Sequence, residues 1–91
     1  MYASRTTFVR RPENSLARIK RELKSIEEKY GVSWERFYYL AEVSNNWKDL
    51  LKKATPEEIL DDLMKLFELD EEYQKLTGRS LLKPLDEKWH P

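Results

Sequence analysis

Cysteine is absent from this 91-residue chain, and glycine (two), histidine (one) and glutamine (one) are scarce. Without cysteine there are no disulfides, thiolate metal sites or thiol nucleophiles. Two glycines cannot build a phosphate-cradling loop. His90, beside Pro91, has only carboxylates for company, whereas zinc asks for three or four nitrogen or sulfur ligands. A Ser or Thr nucleophile would need a positioned base, and the only imidazole sits at the end of the chain. The expectation is a non-enzymatic protein with no catalytic residues, no metal and no cofactor. No apolar run approaches the roughly 18 residues of a membrane span. No leader-like segment follows Met1, so the expected setting is cytoplasmic, with no membrane partner.

Charge is what the chain has in abundance. Charged residues make up 37% of it, against about 25% in an ordinary domain. Together with the few labile residues, that composition resembles a thermophile's. Seventeen basic residues balance seventeen acidic ones, but unevenly along the chain. Residues 1–24 carry +5, residues 25–54 are neutral and residues 55–91 carry −5. A basic head and an acidic tail suit two different partners, or each other.

Size and pattern predict one all-α domain of four or five short helices in a small bundle. The boundaries expected are a basic arm over 1–12, a helical core over 13–78 and a C-terminal strap over 79–91. Thr6, Thr7, Phe8 and Val9 favour an extended chain up to Pro12, as a short strand or an arm. Leu16, Ile19, Leu23, Ile26 and Tyr30 then step by three and four along one helical stripe, which Gly31 ends. Ser33 caps a second helix, Trp34 to about Val43, which is apolar nearly all round. Such a helix is either central or part of an oligomer interface.

Asn46 can cap a short helix over Trp47, Leu50, Leu51 and Ala54. Thr55-Pro56-Glu57-Glu58 is a strong helix start with a capping box. Ile59, Leu60, Leu63, Met64, Leu66 and Phe67 cover roughly 160° of that helix at 100° per residue. Asp70 would fall inside this arc, so the expectation is a break near Leu69, with Asp70 capping a last short helix that ends at Gly78. Beyond it, Leu81, Leu82, Leu85 and Trp89 surround Pro84 in a segment too apolar for a solvated tail.

Two surfaces invite a functional reading. Arg5, Arg10 and Arg11, with Arg18, Arg21 and Lys24 opposite the first helix's apolar stripe, could meet the phosphates of double-stranded DNA. The plainer alternative is a solvated face with Arg18–Glu22 and Lys24–Glu28 pairs at i,i+4. Leu63, Phe67, Tyr73, Leu81, Leu82, Leu85 and Trp89 form a C-terminal apolar set larger than one small domain readily covers. A protein partner or a second copy would take the surplus. Trp34, Phe37, Tyr38 and Tyr39 could stack single-stranded bases, or serve as core. The acidic pairs Glu57/Glu58, Asp61/Asp62 and Glu71/Glu72 lack calcium-loop spacing and read as a solvated face.

The order Thr6-Thr7-Phe8-Val9-Arg10-Arg11-Pro12, helix, Gly31-Val32-Ser33, helix resembles the ribbon-helix-helix layout. Lys29 to Phe37 is similar to phrases found in small prokaryotic antitoxins. The resemblance covers about 38 residues, and the interval from Pro12 to Gly31 is about one helical turn longer than that layout. It implies a homodimer whose paired strands read the major groove and whose C-terminal part wraps a toxin-like protein. Without it, the residues are equally consistent with a helical protein–protein interaction module or a homo-oligomer that has no nucleic-acid role.

Overall fold

A computed structural model describes residues 15–89, and these form an all-α fold with no strand among them. The proposed arm over 1–12, with its possible strand, lies outside the described residues, as does His90. Four α-helices follow in order: α1 (Ser15–Tyr30), α2 (Trp34–Tyr38), α3 (Pro56–Thr77) and α4 (Lys83–Trp89).

Helix α1 buries Ile19, Leu23, Ile26 and Tyr30, the expected stripe apart from Leu16, which stays exposed at the helix start. Gly31 ends the helix at φ 72°, and its N–H donates to the Glu27 carbonyl. The Glu27 carboxylate then accepts from Trp34 N–H at 3.0 Å, and Ser33 Oγ accepts from Arg36 N–H at 3.1 Å. Two side-chain acceptors thus cap α2 across the corner.

Helix α2 does not continue as a regular helix. Tyr39–Val43 forms one π-helical turn, closed by Ser44 N–H donating to Tyr39 C=O, and Asn45 then takes a left-handed conformation at φ 53°. Trp47 Nε1 donates to the Ala41 carbonyl at 3.0 Å, satisfying one of the acceptors at the end of this turn. The near all-round apolar surface expected of this segment is met inside the chain. Phe37, Tyr38, Leu40 and Ala41 are buried, while Tyr39 packs against Trp89 of α4 with centroids 4.8 Å apart. An oligomer interface is not needed to cover it.

A 3-10 turn, Leu50–Lys52, buries Leu50, and Asn46 Oδ1 accepts from Lys48 N–H ahead of it. The Thr55 capping box forms in full: Thr55 Oγ1 accepts from Glu58 N–H, and Glu58 Oε1 accepts from Thr55 N–H. From there α3 runs unbroken for 22 residues to Gly78 at φ 75°. The expected break near Leu69 is absent, and Asp70 lies within the helix, 9% exposed. Its Oδ1 accepts from Ser80 Oγ at 2.9 Å, Leu81 N–H at 2.5 Å and Leu82 N–H at 3.4 Å, and Oδ2 accepts from Gln74 Nε2 at 3.0 Å. Ser80 Oγ in turn accepts from Lys83 N–H at 2.9 Å. Asp70 therefore caps the approach to α4 from across the fold, rather than the start of a helix of its own.

Helices α1 and α3 pack antiparallel along a charged seam. Arg18 pairs with Glu72, Glu22 with Lys65 at 3.1 Å and Lys29 with Asp62 at 2.9 Å. The i,i+4 pair expected between Arg18 and Glu22 is replaced by these cross-helix pairs. Asp62, expected on a solvated strip, also accepts from Tyr30 Oη at 2.5 Å. Each ion pair is partly exposed and contributes well under about 1 kcal/mol, so the seam sets register more than stability.

Two buried phenols give the fold a pH signature. Burial, then a hydrogen bond to Asp62, pushes the Tyr30 phenol well above its ordinary value; burial and Asp86 do the same to Tyr38. The hydrogen bond to Asp62 likewise raises Lys29, against partial desolvation. Folded chains then keep protons that unfolded chains release, so this stability is intact below about pH 10 and declines as pH rises from there. Each phenol steepens that decline by up to about 1.4 kcal/mol per pH unit. Urea midpoints measured from about pH 9 to 11 should fall steeply for the wild type and less steeply for Tyr30→Phe with Tyr38→Phe. Parallel slopes would reject the assignment.

Candidate functional site

Helix α3 buries more than one face, and the way it does so defines the site. Ile59, Leu63, Leu66 and Leu69 enter the core with the Asp70 network beside them, while Asp62, Lys65 and Glu72 face α1. The flank away from α1 carries Leu60, Met64 and Phe67, which remain 49%, 60% and 41% exposed. Their i, i+4, i+7 spacing places them in one continuous stripe. Phe67 sits at its inner edge, with its ring 6.2 Å from that of Tyr38 and edge-on to it.

The border of the stripe is acidic. Glu57, Asp61, Glu68 and Glu71 are exposed along it. Among the described residues, none of Glu57, Glu68 and Glu71 enters an ion pair. A depression of about 320 Å³ opens beside the stripe, lined by Met64, Phe67, Glu68, Asp70, Glu71 and Gln74. Arg18, Lys29 and Lys65 are engaged on the opposite seam, while Lys75 stands beyond Glu71 at the far end of the stripe. An apolar strip of flexible Met and Leu with a mostly acidic border can take an amphipathic segment of opposite charge.

The seven residues expected to bind a partner separate into groups. Leu63 and Leu82 are buried in the chain's own core. Trp89 is half-buried against Tyr39. Tyr73, Leu81 and Leu85 converge with Trp34 on a cleft of about 470 Å³. Its rim mixes Arg79 and Lys83 with Glu35 and Glu87, so it offers no clear preference for either sign. Phe67 alone of the seven joins the stripe. Leu60 and Met64, its other members, belong to the apolar arc that the sequence pattern assigned to the core.

The six residues expected to meet DNA are also divided. Arg5, Arg10 and Arg11 lie outside the described residues. Arg18 is held by Glu72 on the α3 side of α1. Arg21 and Lys24 are exposed with Lys20 on the outer face of α1. Of the aromatic group, Phe37 and Tyr38 are core, which removes their faces from any base-stacking platform. Among the described residues, no group of three or more His, Asp or Glu side chains is placed to hold a metal ion, and no helix is long and apolar enough to cross a membrane. No family model matches the chain, and no curated protein or solved structure matches it either.

Proposed function

We propose that this chain is a non-enzymatic helical interaction module whose α3 stripe docks a basic, amphipathic segment of a protein partner. The observation that carries this reading is the exposure of Leu60, Met64 and Phe67 in one line, bordered by Glu57, Glu68 and Glu71, none of which enters an ion pair among the described residues. Apolar burial would supply affinity, and the acidic border would select partners by sign and speed their encounter. Selection from a random peptide display should enrich sequences with Lys or Arg interleaved with apolar residues at helical spacing. Leu60→Ser with Met64→Ser should abolish that enrichment while leaving the core untouched. Enrichment of acidic sequences, or the same peptides on both proteins, would reject the docking face.

A second reading is favoured by Lys20, Arg21 and Lys24 on the outer face of α1, which extend the basic character of Arg5, Arg10 and Arg11. In it the protein is an antitoxin-like regulator: a homodimer whose basic part contacts double-stranded DNA while α3 holds a toxin-like partner. Binding of a labelled random duplex, followed by anisotropy, should then weaken with salt at a log–log slope of about −3 or steeper, at roughly 0.9 per phosphate neutralised. Absence of binding at low salt would leave the interaction module alone.

A further inference from the structure

We propose that α4 is a displaceable strap: in the free chain it covers Tyr38 and Tyr39, an aromatic extension of the α3 docking face, and a partner gains that surface by pushing α4 aside. The inference deepens the docking reading and rests on it, because it assigns the regulation of the same face. Its first support is continuity. The Tyr38 ring stands 6.2 Å from that of Phe67 at the inner edge of the stripe, while its Oη donates to Asp86 Oδ1 of α4 at 2.6 Å. Tyr39, next in the chain, packs against Trp89 of α4 with ring centroids 4.8 Å apart. Lifting α4 therefore adds two tyrosines to the line of Leu60, Met64 and Phe67 rather than opening an unrelated surface.

The second support is how lightly α4 is attached. It has seven residues and none of them is buried; Leu85 and Trp89 are only partly covered. A helix this short is unstable by itself in water, so α4 keeps its shape only while docked. The third support is a hinge. Gly78 ends α3 at φ 75°, and Asp70 accepts from Ser80, Leu81 and Leu82 just ahead of α4, where Leu82 is buried. Residues 80–82 are thus anchored independently of α4, and Lys83–Trp89 can swing from them. A partner helix that brings an apolar side chain to Tyr39 replaces the Trp89 contact, and the exchange costs only the docking of α4.

The test uses the full chain and a defined probe, an amphipathic peptide of Leu and Lys at helical spacing. Its apparent affinity scales with the fraction of chains whose strap is open. A hydrogen bond to a carboxylate is worth about tenfold or more in such an equilibrium. Asp86→Ala should therefore bind the peptide up to about tenfold more tightly than the wild type. Electrostatics alone predicts the reverse, because the substitution removes a negative charge from a protein that binds a basic peptide. Glu87→Ala removes the same charge from an exposed position and should weaken binding slightly or leave it unchanged. Trp89→Ala opens the strap through its other contact and should tighten binding too. In the wild type, amides of Asp86–Trp89 should exchange faster once the peptide is bound. Binding no tighter than wild type by both Asp86→Ala and Trp89→Ala overturns the strap, as do α4 amides equally protected in the complex and in the free chain. If that binding still depends on Leu60 and Met64, the docking face stands without a strap. Tightening that survives Leu60→Ser with Met64→Ser keeps the strap over the tyrosines and rejects the stripe. No binding by any variant overturns both.

Discussion

Replacing Phe37 by alanine should unfold most of this protein's margin of stability. Phe37 has no exposed surface, lies 4.6 Å from the Tyr30 ring between centroids and belongs to the buried core with Ile59, Leu63 and Leu66. Truncating a buried Phe costs about 3–5 kcal/mol, from lost transfer energy and from the cavity left behind. A 91-residue domain has only about 5–13 kcal/mol in total. At about 4–8 °C per kcal/mol for this size, Tm should drop by about 20 °C. Phe67→Ala is the control, because it removes the same atoms from a ring that is 41% exposed. Its cost should stay near about 1 kcal/mol, mostly the edge contact with Tyr38. Calorimetry on the two variants therefore separates core from docking surface. Equal losses would mean that Phe67 is structural and that the α3 stripe is part of the core.

What could be read ahead of the structure was what depends on neighbours in sequence. Thr55 and Glu58 are three residues apart, and the capping box they announce forms with both hydrogen bonds. The α1 stripe ends at Gly31 because a left-handed residue is a local need, and φ there is 72°. Contacts set by the rotation of one helix against another were not legible. Arg18 and Glu22 are well spaced for a pair, yet α3 brings Glu72 and Lys65 closer to their purposes. The π turn at Tyr39–Val43 was equally hidden, since one extra residue in a turn leaves no mark on an apolar run.

Asp70 shows the limit most clearly. A carboxylate inside an apolar arc reads as a helix break, because burying it unpaired costs more than ending the helix. Its donors lie ten to twelve residues downstream, at Ser80, Leu81 and Leu82. Residues 79–91 read as a strap rather than a helix, so the N–H groups that the approach to α4 supplies to a buried acid were not anticipated. The candidate site suffered in the same way. Phe67 was identified, but Leu60 and Met64 were assigned to the core, since an arc of apolar residues does not say which margin the neighbours leave open.

Asp70→Ala should release α4. The substitution removes one acceptor from Ser80 Oγ and the N–H groups of Leu81 and Leu82, and it orphans the Gln74 amide. If the backbone stayed in place, each buried donor left without a partner would cost about 1–3 kcal/mol. A cheaper response exists. Helix α4 buries none of its own residues fully, and it is held by Leu82 just before it, the Tyr38–Asp86 hydrogen bond at 2.6 Å and the Trp89–Tyr39 contact. Letting go of residues 80–89 solvates the donors and caps the overall loss at what α4 docking is worth. Amide exchange should therefore quicken most across Leu82–Trp89, well beyond its change in α1, while the urea midpoint falls by a smaller amount. Asp70→Asn keeps a carbonyl oxygen for Leu81 and Leu82 and gives up the charge, so its effect should lie between alanine and wild type. A uniform rise in exchange across all four helices would instead mean that Asp70 supports the whole core. Wild-type exchange in the alanine variant would mean that α4 is held by its aromatic contacts alone.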